Sequence, residues 1–330
     1  MKILVTGGLG FLGIHLVRRL AELMPDAHIT AGDVLTASPS ILDFLAPVKD
    51  QVELVYLDVR HRQTFRSLVQ SREIDTIVHA AALTPNDQTE RERMEDVLDV
   101  NLGGALNAIL AAQEERVKQV LLCSSTGLYR APGIRQGELQ AEDAALELHS
   151  LYTITKYSAE LLGQRCALLS GKRIAAVRLT SMYGEMERPT GSREQMSLVF
   201  RLVDALLNGR KLCLAGAEIG RDWMYAGEAA AAVKALLDAP TWNYPVYNIG
   251  SGQILKLREL AEIFELYGLD VEWSQNPSAA DICLRPENGR AALNLKRLTV
   301  DTGFLPANIR QKMEEFVSAQ TRLPLHFSYR

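Results

Sequence analysis

Three features of the chain predict an α/β fold in which a doubly wound parallel sheet carries a smaller C-terminal lobe. Six short runs rich in aliphatic and β-branched residues alternate with helix-period segments up to residue 179, the pattern of a parallel sheet with helices on both faces. The runs show little period-2 alternation, so each strand is expected to be buried on both sides. Beyond residue 180 this rhythm breaks, which marks a second unit.

The first run, KILVT (2 to 6), leads through glycines into a helix over 11 to 24. HITAG (28 to 32) and ELVYL (53 to 57) follow, then a helix at 61 to 70 and the strand DTIVHA (75 to 80). A long helical stretch at 87 to 115 precedes KQVLLCS (118 to 124), and a helix at 152 to 169 precedes RIAAVRL (173 to 179). Apolar residues at i, i+3 and i+4 give each helical stretch one buried face. Two polar stretches containing glycine and proline, GEMERPTGSREQMS (184 to 197) and NPSAADICLRPENG (276 to 289), are expected to be loops shaped for a ligand. Helices are expected at 198 to 208, 226 to 238, 256 to 267 and 306 to 319, with PVYNIG (245 to 250) able to return to the sheet. The predicted division is 1 to 178 with 222 to 251 in the sheet domain, and 179 to 221 with 252 to 330 in the smaller lobe.

The chain has 330 residues, enough for two lobes, and a net charge of -4 that argues against nucleic acid or an anionic membrane as partner. Its four cysteines stand 40 or more residues apart and the six histidines form no HExxH, so reduced thiols and no metal are expected. The start, MKILVTGG, lacks the apolar region of a signal peptide, and no run approaches the length of a membrane span, so a cytoplasmic location is expected.

The turn TGGLGFLG places Gly7, Gly10 and Gly13 between a strand and a helix. Glycines there permit a tight turn and close backbone approach to a pyrophosphate, while the helix N-terminus offers free N–H groups. Asp33 follows twenty residues after Gly13, where an acid accepts hydrogen bonds from an adenosine ribose and repels a 2′-phosphate. No arginine occurs in the next residues, VLTASPSILD, so NAD is expected rather than NADP. Asp58, ending the third strand in YLDVR, is a candidate contact to adenine.

LYTITKYSAE (151 to 160) puts Tyr152 and Lys156 at i and i+4, on one helix face. A neighbouring ammonium, with the positive ring of bound NAD, favours the phenolate and suits the tyrosine to general-base work. LLCSSTGLYR delivers Ser124, Ser125 and Thr126 to the carboxyl edge of the sheet, where open α/β folds bind ligands. No GxSxG elbow accompanies these hydroxyls, so nucleophilic serine chemistry is not expected.

Together TGGLGFLG, Asp33, Asp58, HAAA (79 to 82), the LLCSSTGLY strand end and YTITK resemble the extended short-chain dehydrogenase/reductase superfamily, within it the NAD-dependent epimerase/dehydratase family. VRLTSMYG, RDWMYAGEAAAA, YNIGSG and RPENGRAALNLKRL extend the resemblance over nearly the whole chain. It implies a Rossmann-type doubly wound sheet with a smaller C-terminal substrate-binding lobe. It also implies that Tyr152 transfers the proton, that Lys156 holds the nicotinamide ribose, and that Ser125 rather than Ser124 assists. Cofactor contacts are implied at Gly7, Gly10, Phe11, Leu12, Gly13, Asp33, Asp58, Val59, Ala80, Ala81, Ala82, Asn101, Leu179 and Met182. For Asn101 the alternative is a polar contact inside its helix.

Substrate contacts are expected at Thr84, Ser125, Thr126, Ser181, Arg193, Arg221 and Arg285. Arg221 and Arg285 match positions near a substrate diphosphate, or they pair structurally with Asp222 or Glu287. Three departures bear on the reaction. Thr126 and Gly127 stand where the family's 4,6-dehydratases carry an Asp-Glu pair, which disfavours dehydration. Ser181 replaces the asparagine usual in sugar-nucleotide members, and Asn294 replaces an aspartate but can still cap a helix. The leading reading is an NAD-dependent nucleotide-sugar epimerase, with transient carbinol oxidation by hydride transfer to NAD. The alternatives are a dehydrogenase of a small sugar acid or polyol, and a non-catalytic NAD-sensing protein. A homodimer packed through the helices at about 95 to 115 and 152 to 169 is expected from the resemblance.

Overall fold

The computed structural model describes residues 1–114, 116–129, 139–192 and 196–322. Seven strands form the main sheet: β1 (Lys2–Thr6), β2 (His28–Asp33), β3 (Val52–Tyr56), β4 (Thr76–His79), β5 (Gln119–Ser125), β6 (Arg173–Leu179) and a late strand, Val246–Ile249. All are parallel, in the order late strand, β6, β5, β4, β1, β2, β3. The chain leaves β1 toward β2 on one side and later returns to β4 on the other. The carboxyl end of β1 is therefore the switch point where such sheets open a crevice.

Burial follows the composition of the strands. Ile3, Leu4, Val5, Ile77 and Val78 are fully buried, as parallel strands covered on both faces require. On one face lies the helix Phe11–Leu23, packed against the alanine-rich helix Ala226–Asp238, whose small side chains permit close approach. On the other lie Arg62–Ser71, Gly104–Ala111 and Leu151–Ser170. The stretch expected as one helix at 87 to 115 is interrupted: Asp87–Glu92 and Met94–Leu98 meet at Arg93, whose φ of -131° is not helical. A π-helical turn over Asp99–Gly103 then leads into Gly104–Ala111.

The smaller lobe contains more strand than its sequence suggests. Ser181–Tyr183 pairs in parallel with Gly220–Tyr225, which pairs antiparallel with Ile254–Lys256. A second short sheet joins Leu212–Ala215 to Val271–Trp273 and Ile282–Cys283. Its core forms where Tyr183, Trp223, Phe264 and Phe316 meet the helices Leu198–Leu207, Leu257–Glu265 and Ile309–Arg322. Among the described residues no helix is long and apolar enough to cross a membrane, and no His/Cys/Asp/Glu group could hold a metal ion.

Candidate active site

Every strand of the main sheet ends at the same edge, which gathers the motifs. After β1, Gly7 turns with φ of +65°, a left-handed conformation that glycine adopts without strain. A methyl group on Gly7 would sit 2.7 Å from Ala81 Cα, so this turn and the alanine strand end touch backbone to backbone. A methyl on Gly13 would lie 1.9 Å from the Gly7 carbonyl oxygen. No side chain caps the helix that begins at Phe11, so the N–H groups of Phe11, Leu12 and Gly13 face an open cradle. These features fit a dinucleotide diphosphate.

Asp33, at the end of β2, is buried and accepts the backbone N–H groups of Leu9 (2.9 Å) and Leu35 (3.0 Å). The local sequence offers no arginine beside it, yet the fold brings one: Arg188, half-buried, donates to the carbonyl of Leu9 at 2.6 Å. Asp58, at the end of the segment after β3, is buried. Its carboxylate accepts Arg60 Nε at 3.0 Å and Nη2 at 2.8 Å, and these bonds hold it below the ordinary carboxylate range. Val59 beside it is buried, and a methyl on Gly104 would strike Val59 Cγ2 at 2.6 Å, so this helix packs directly under the loop.

Ala80, Ala81 and Ala82 are partly buried where β4 ends. Asn101, buried in the π-helical turn, spends its amide on Leu83, accepting from its N–H at 2.7 Å and donating to its carbonyl at 2.9 Å. It pins the segment that follows the alanines instead of making a contact within its own helix. Leu179 is buried at the end of β6, and Met182 is half-buried in the next strand.

Below the alanines, His79 is fully enclosed. Its Nδ1 lies 2.8 Å from Thr6 Oγ1, and its Nε2 has no hydrogen-bond partner among the described residues. Burial, reinforced by the Lys156 ammonium, lowers its pKa to about 3. The folded pKa lies below the unfolded value, so His79 contributes stability that is fully present above about pH 6.5 and is lost as pH falls toward 3. At pH 5 the loss is expected to be about 2 kcal/mol. Urea unfolding at pH 7.5 and pH 5 checks this; His79→Gln should flatten the difference, and an unchanged difference would rule His79 out as its source.

The helix Leu151–Ser170 begins with a reciprocal cap: Ser150 Oγ accepts the Thr153 N–H at 3.2 Å, and Thr153 Oγ1 accepts the Ser150 N–H at 3.1 Å. The cap fixes the first turn, which carries Tyr152. One turn on, Lys156 is buried, donates to the Cys123 carbonyl at 2.7 Å and stands 5.8 Å from the centre of the Tyr152 ring. It forms no ion pair among the described residues, so no carboxylate neutralises its charge. On β5 the serines diverge, as alternation along a strand requires. Ser124 turns inward and donates to Glu160 at 2.5 Å, beneath the buried Glu160–Arg178 pair. Ser125 stays half-exposed at the strand end, its Oγ accepting the Gly127 N–H at 3.0 Å.

A cleft of about 390 Å³ lies between the lobes, lined in part by Thr84, Ser197, Arg201, Arg221, Cys283 and Asn288. Arg221 pairs with neither Asp222 nor Glu287. Its Nε donates to the Asn288 carbonyl at 2.7 Å, and burial, with Arg290 nearby, pushes its pKa down to about 10. Asp222 instead accepts from Ser251, Gly252 and Leu293, with burial raising it to about 6. Arg285 is exposed and does not line the cleft; Arg290, which sequence reasoning missed, shares a small pocket with Thr126 and Thr180. Ser181 is half-buried beside Trp223, and Arg193 lies outside the described residues.

Comparison with known proteins agrees with the fold. A family model described as NAD dependent epimerase/dehydratase family matches residues 3–250. A putative UDP-glucose 4-epimerase of Methanocaldococcus jannaschii is 26% identical, covering 80% of this chain and 81% of that protein. A dTDP-glucose 4,6-dehydratase of Mycobacterium tuberculosis is 28% identical over 72% of this chain and 69% of its own length. The crystal structure of UDP-glucuronic acid 4-epimerase from Bacillus cereus, in complex with UDP-glucuronic acid and NAD, shares the fold with a TM-score of 0.78 at 19% identity, covering 98% of this chain and 100% of that one.

Proposed function

The chain belongs to the NAD dependent epimerase/dehydratase family, and from that premise we propose that it is an NAD-dependent epimerase of a nucleotide sugar. The observation that carries this reading is the pair Arg221 and Arg290 between the lobes. Each is lowered in pKa by burial, and neither has a carboxylate partner among the described residues. Half-buried cations left without counter-ions carry a desolvation cost, and a diphosphate bound between them would offset it. The cleft volume, about 390 Å³, lies within the ordinary range of small-molecule sites.

NAD, when bound, supplies the hydride acceptor and donor. Tyr152 takes the carbinol proton at its phenolic oxygen and later returns it, while the Ser125 hydroxyl holds the same substrate oxygen. Lys156 would hold the nicotinamide ribose. Epimerisation is preferred over 4,6-dehydration because Thr126 is buried and Gly127 has no side chain, so this turn offers no acid-base pair for eliminating water.

Denaturing the purified protein and counting released NAD tests the reading, together with a panel of UDP- and dTDP-sugars assayed for inversion. Stoichiometric NAD and an inverted sugar are expected. An empty site, with NADH formed from sugar acids, would favour the dehydrogenase instead. Arg221→Met is expected to raise KM for the nucleotide sugar about 100-fold with little change in NAD content, through loss of a charge-assisted contact. Unchanged KM would remove Arg221 from the site.

A homodimer is proposed as well. Ile154, Leu161 and Leu168 recur every seven residues along one exposed stripe of Leu151–Ser170, and Met94 and Leu98 are exposed on the adjoining segment. Light scattering should give twice the chain mass, and Leu161→Glu should shift it to the monomer.

A further inference from the structure

The cofactor-side helix is gripped by a loop from the other lobe. After Ser181–Tyr183 the chain passes through Met186, whose φ of +64° is left-handed for a residue with a side chain. That costs on the order of 1–2 kcal/mol and persists only where the surroundings hold it. Here they do. The Glu185 carbonyl lies 2.8 Å from His15 Nε2, its carboxylate accepts the Tyr225 hydroxyl at 2.7 Å, and Glu187 accepts the Ser197 N–H at 2.6 Å.

The turn delivers Arg188 to the glycine-rich segment. Its Nη2 donates to Leu9 O at 2.6 Å and its Nη1 to Met186 O at 2.9 Å. Leu9 is thereby held on both sides, since its own N–H bonds to Asp33. A guanidinium has five N–H donors, and these two carbonyls use only part of that capacity. Arg188 forms no ion pair with a carboxylate among the described residues. Burial lowers its pKa, and the charge of Asp33 opposes the shift. This half-buried cation, bonded to two carbonyls and near Asp33 without pairing with it, is tied to Leu9 two residues before the uncapped start of the helix at Phe11, so its spare donors stand close to that N-terminus.

We propose that Arg188 is a cofactor-binding residue: reaching from the smaller lobe, it adds a full positive charge to the dinucleotide diphosphate and so retains the cofactor. The proposal rests on reading the glycine-rich turn as the NAD site. It gives the strained loop a task suited to an enzyme that does not release NAD between turnovers.

Affinities of the NAD-free protein for ADP and for adenosine, measured by displacement of NADH fluorescence, test it. Arg188→Ala is expected to weaken ADP about 10-fold or more and adenosine less than threefold, with NAD lost during purification; Arg188→Lys, which keeps the charge, should fall between. ADP affinity within twofold of wild type would overturn the proposal. Equal weakening of both ligands would overturn it too, by reducing Arg188 to a structural tie on Leu9. If Arg188→Ala does not fold, Arg188→Gln, which removes the charge but keeps a polar side chain, decides: a selective loss of ADP affinity supports the proposal, and ADP affinity within twofold of wild type overturns it. Failure of wild type to bind ADP at all would instead sink the reading of the turn as the NAD site.

Discussion

Tyr152→Phe is expected to lower kcat by about 10²–10⁴-fold, the usual contribution of a positioned acid-base group. The fold gives little reason for any other effect. Tyr152 is half-exposed, its helix is started by Ser150 and Thr153, and its ring remains in phenylalanine to face Lys156. Thermal stability and bound NAD should therefore match wild type, and KM should change little. Turnover within tenfold of wild type would move proton transfer to another group, of which Ser125 is the nearest in the proposed mechanism.

Gly13→Ala is expected to remove NAD binding by about 100-fold or more and to destabilise the fold by about 3 kcal/mol, as forced overpacking against backbone does. The added methyl would meet Gly7 O at 1.9 Å and Gly8 Cα at 2.9 Å, and both belong to the main chain of the cradle. Neither can rotate away, so the turn itself must shift. Gly10→Ala is the control, because its methyl would meet Gly7 O at 3.2 Å, which a small adjustment accommodates. NAD affinity measured for both variants separates the cases. Equal and small losses would mean that the turn is not closely fitted around the diphosphate.

What could be read from the sequence was what depends on neighbours along the chain. A strand, three glycines and a helix make the cradle by local geometry, and Tyr152 and Lys156 meet because i and i+4 share a helix face. Alternation along β5 likewise separates Ser124 from Ser125. The interruption of the helix expected at 87 to 115 was harder to see, because its apolar spacing runs on through Arg93 while the backbone turns.

Charge partnerships depend on tertiary approach and were read less well. The capture of Asp58 by Arg60 is local, yet whether a carboxylate faces a neighbouring guanidinium or an empty crevice depends on how the loop folds. Arg188 reaches Leu9 only because β1 and β6 end at one edge of the main sheet and the chain runs on from there through Ser181–Tyr183, and Arg290 nears Arg221 only through the return of its loop. Exposed Arg285 and half-buried Arg290 are five residues apart in one basic loop, and spacing alone does not say which turns inward.

A crystal structure of the NAD complex tests the proton-transfer pair most directly. The nicotinamide ring is expected between Tyr152 and the backbone of Leu179 to Met182, with Lys156 Nζ within hydrogen-bond distance of the nicotinamide ribose hydroxyls. A nicotinamide bound away from Tyr152, or a Lys156 ammonium still turned wholly to the Cys123 carbonyl, would contradict it.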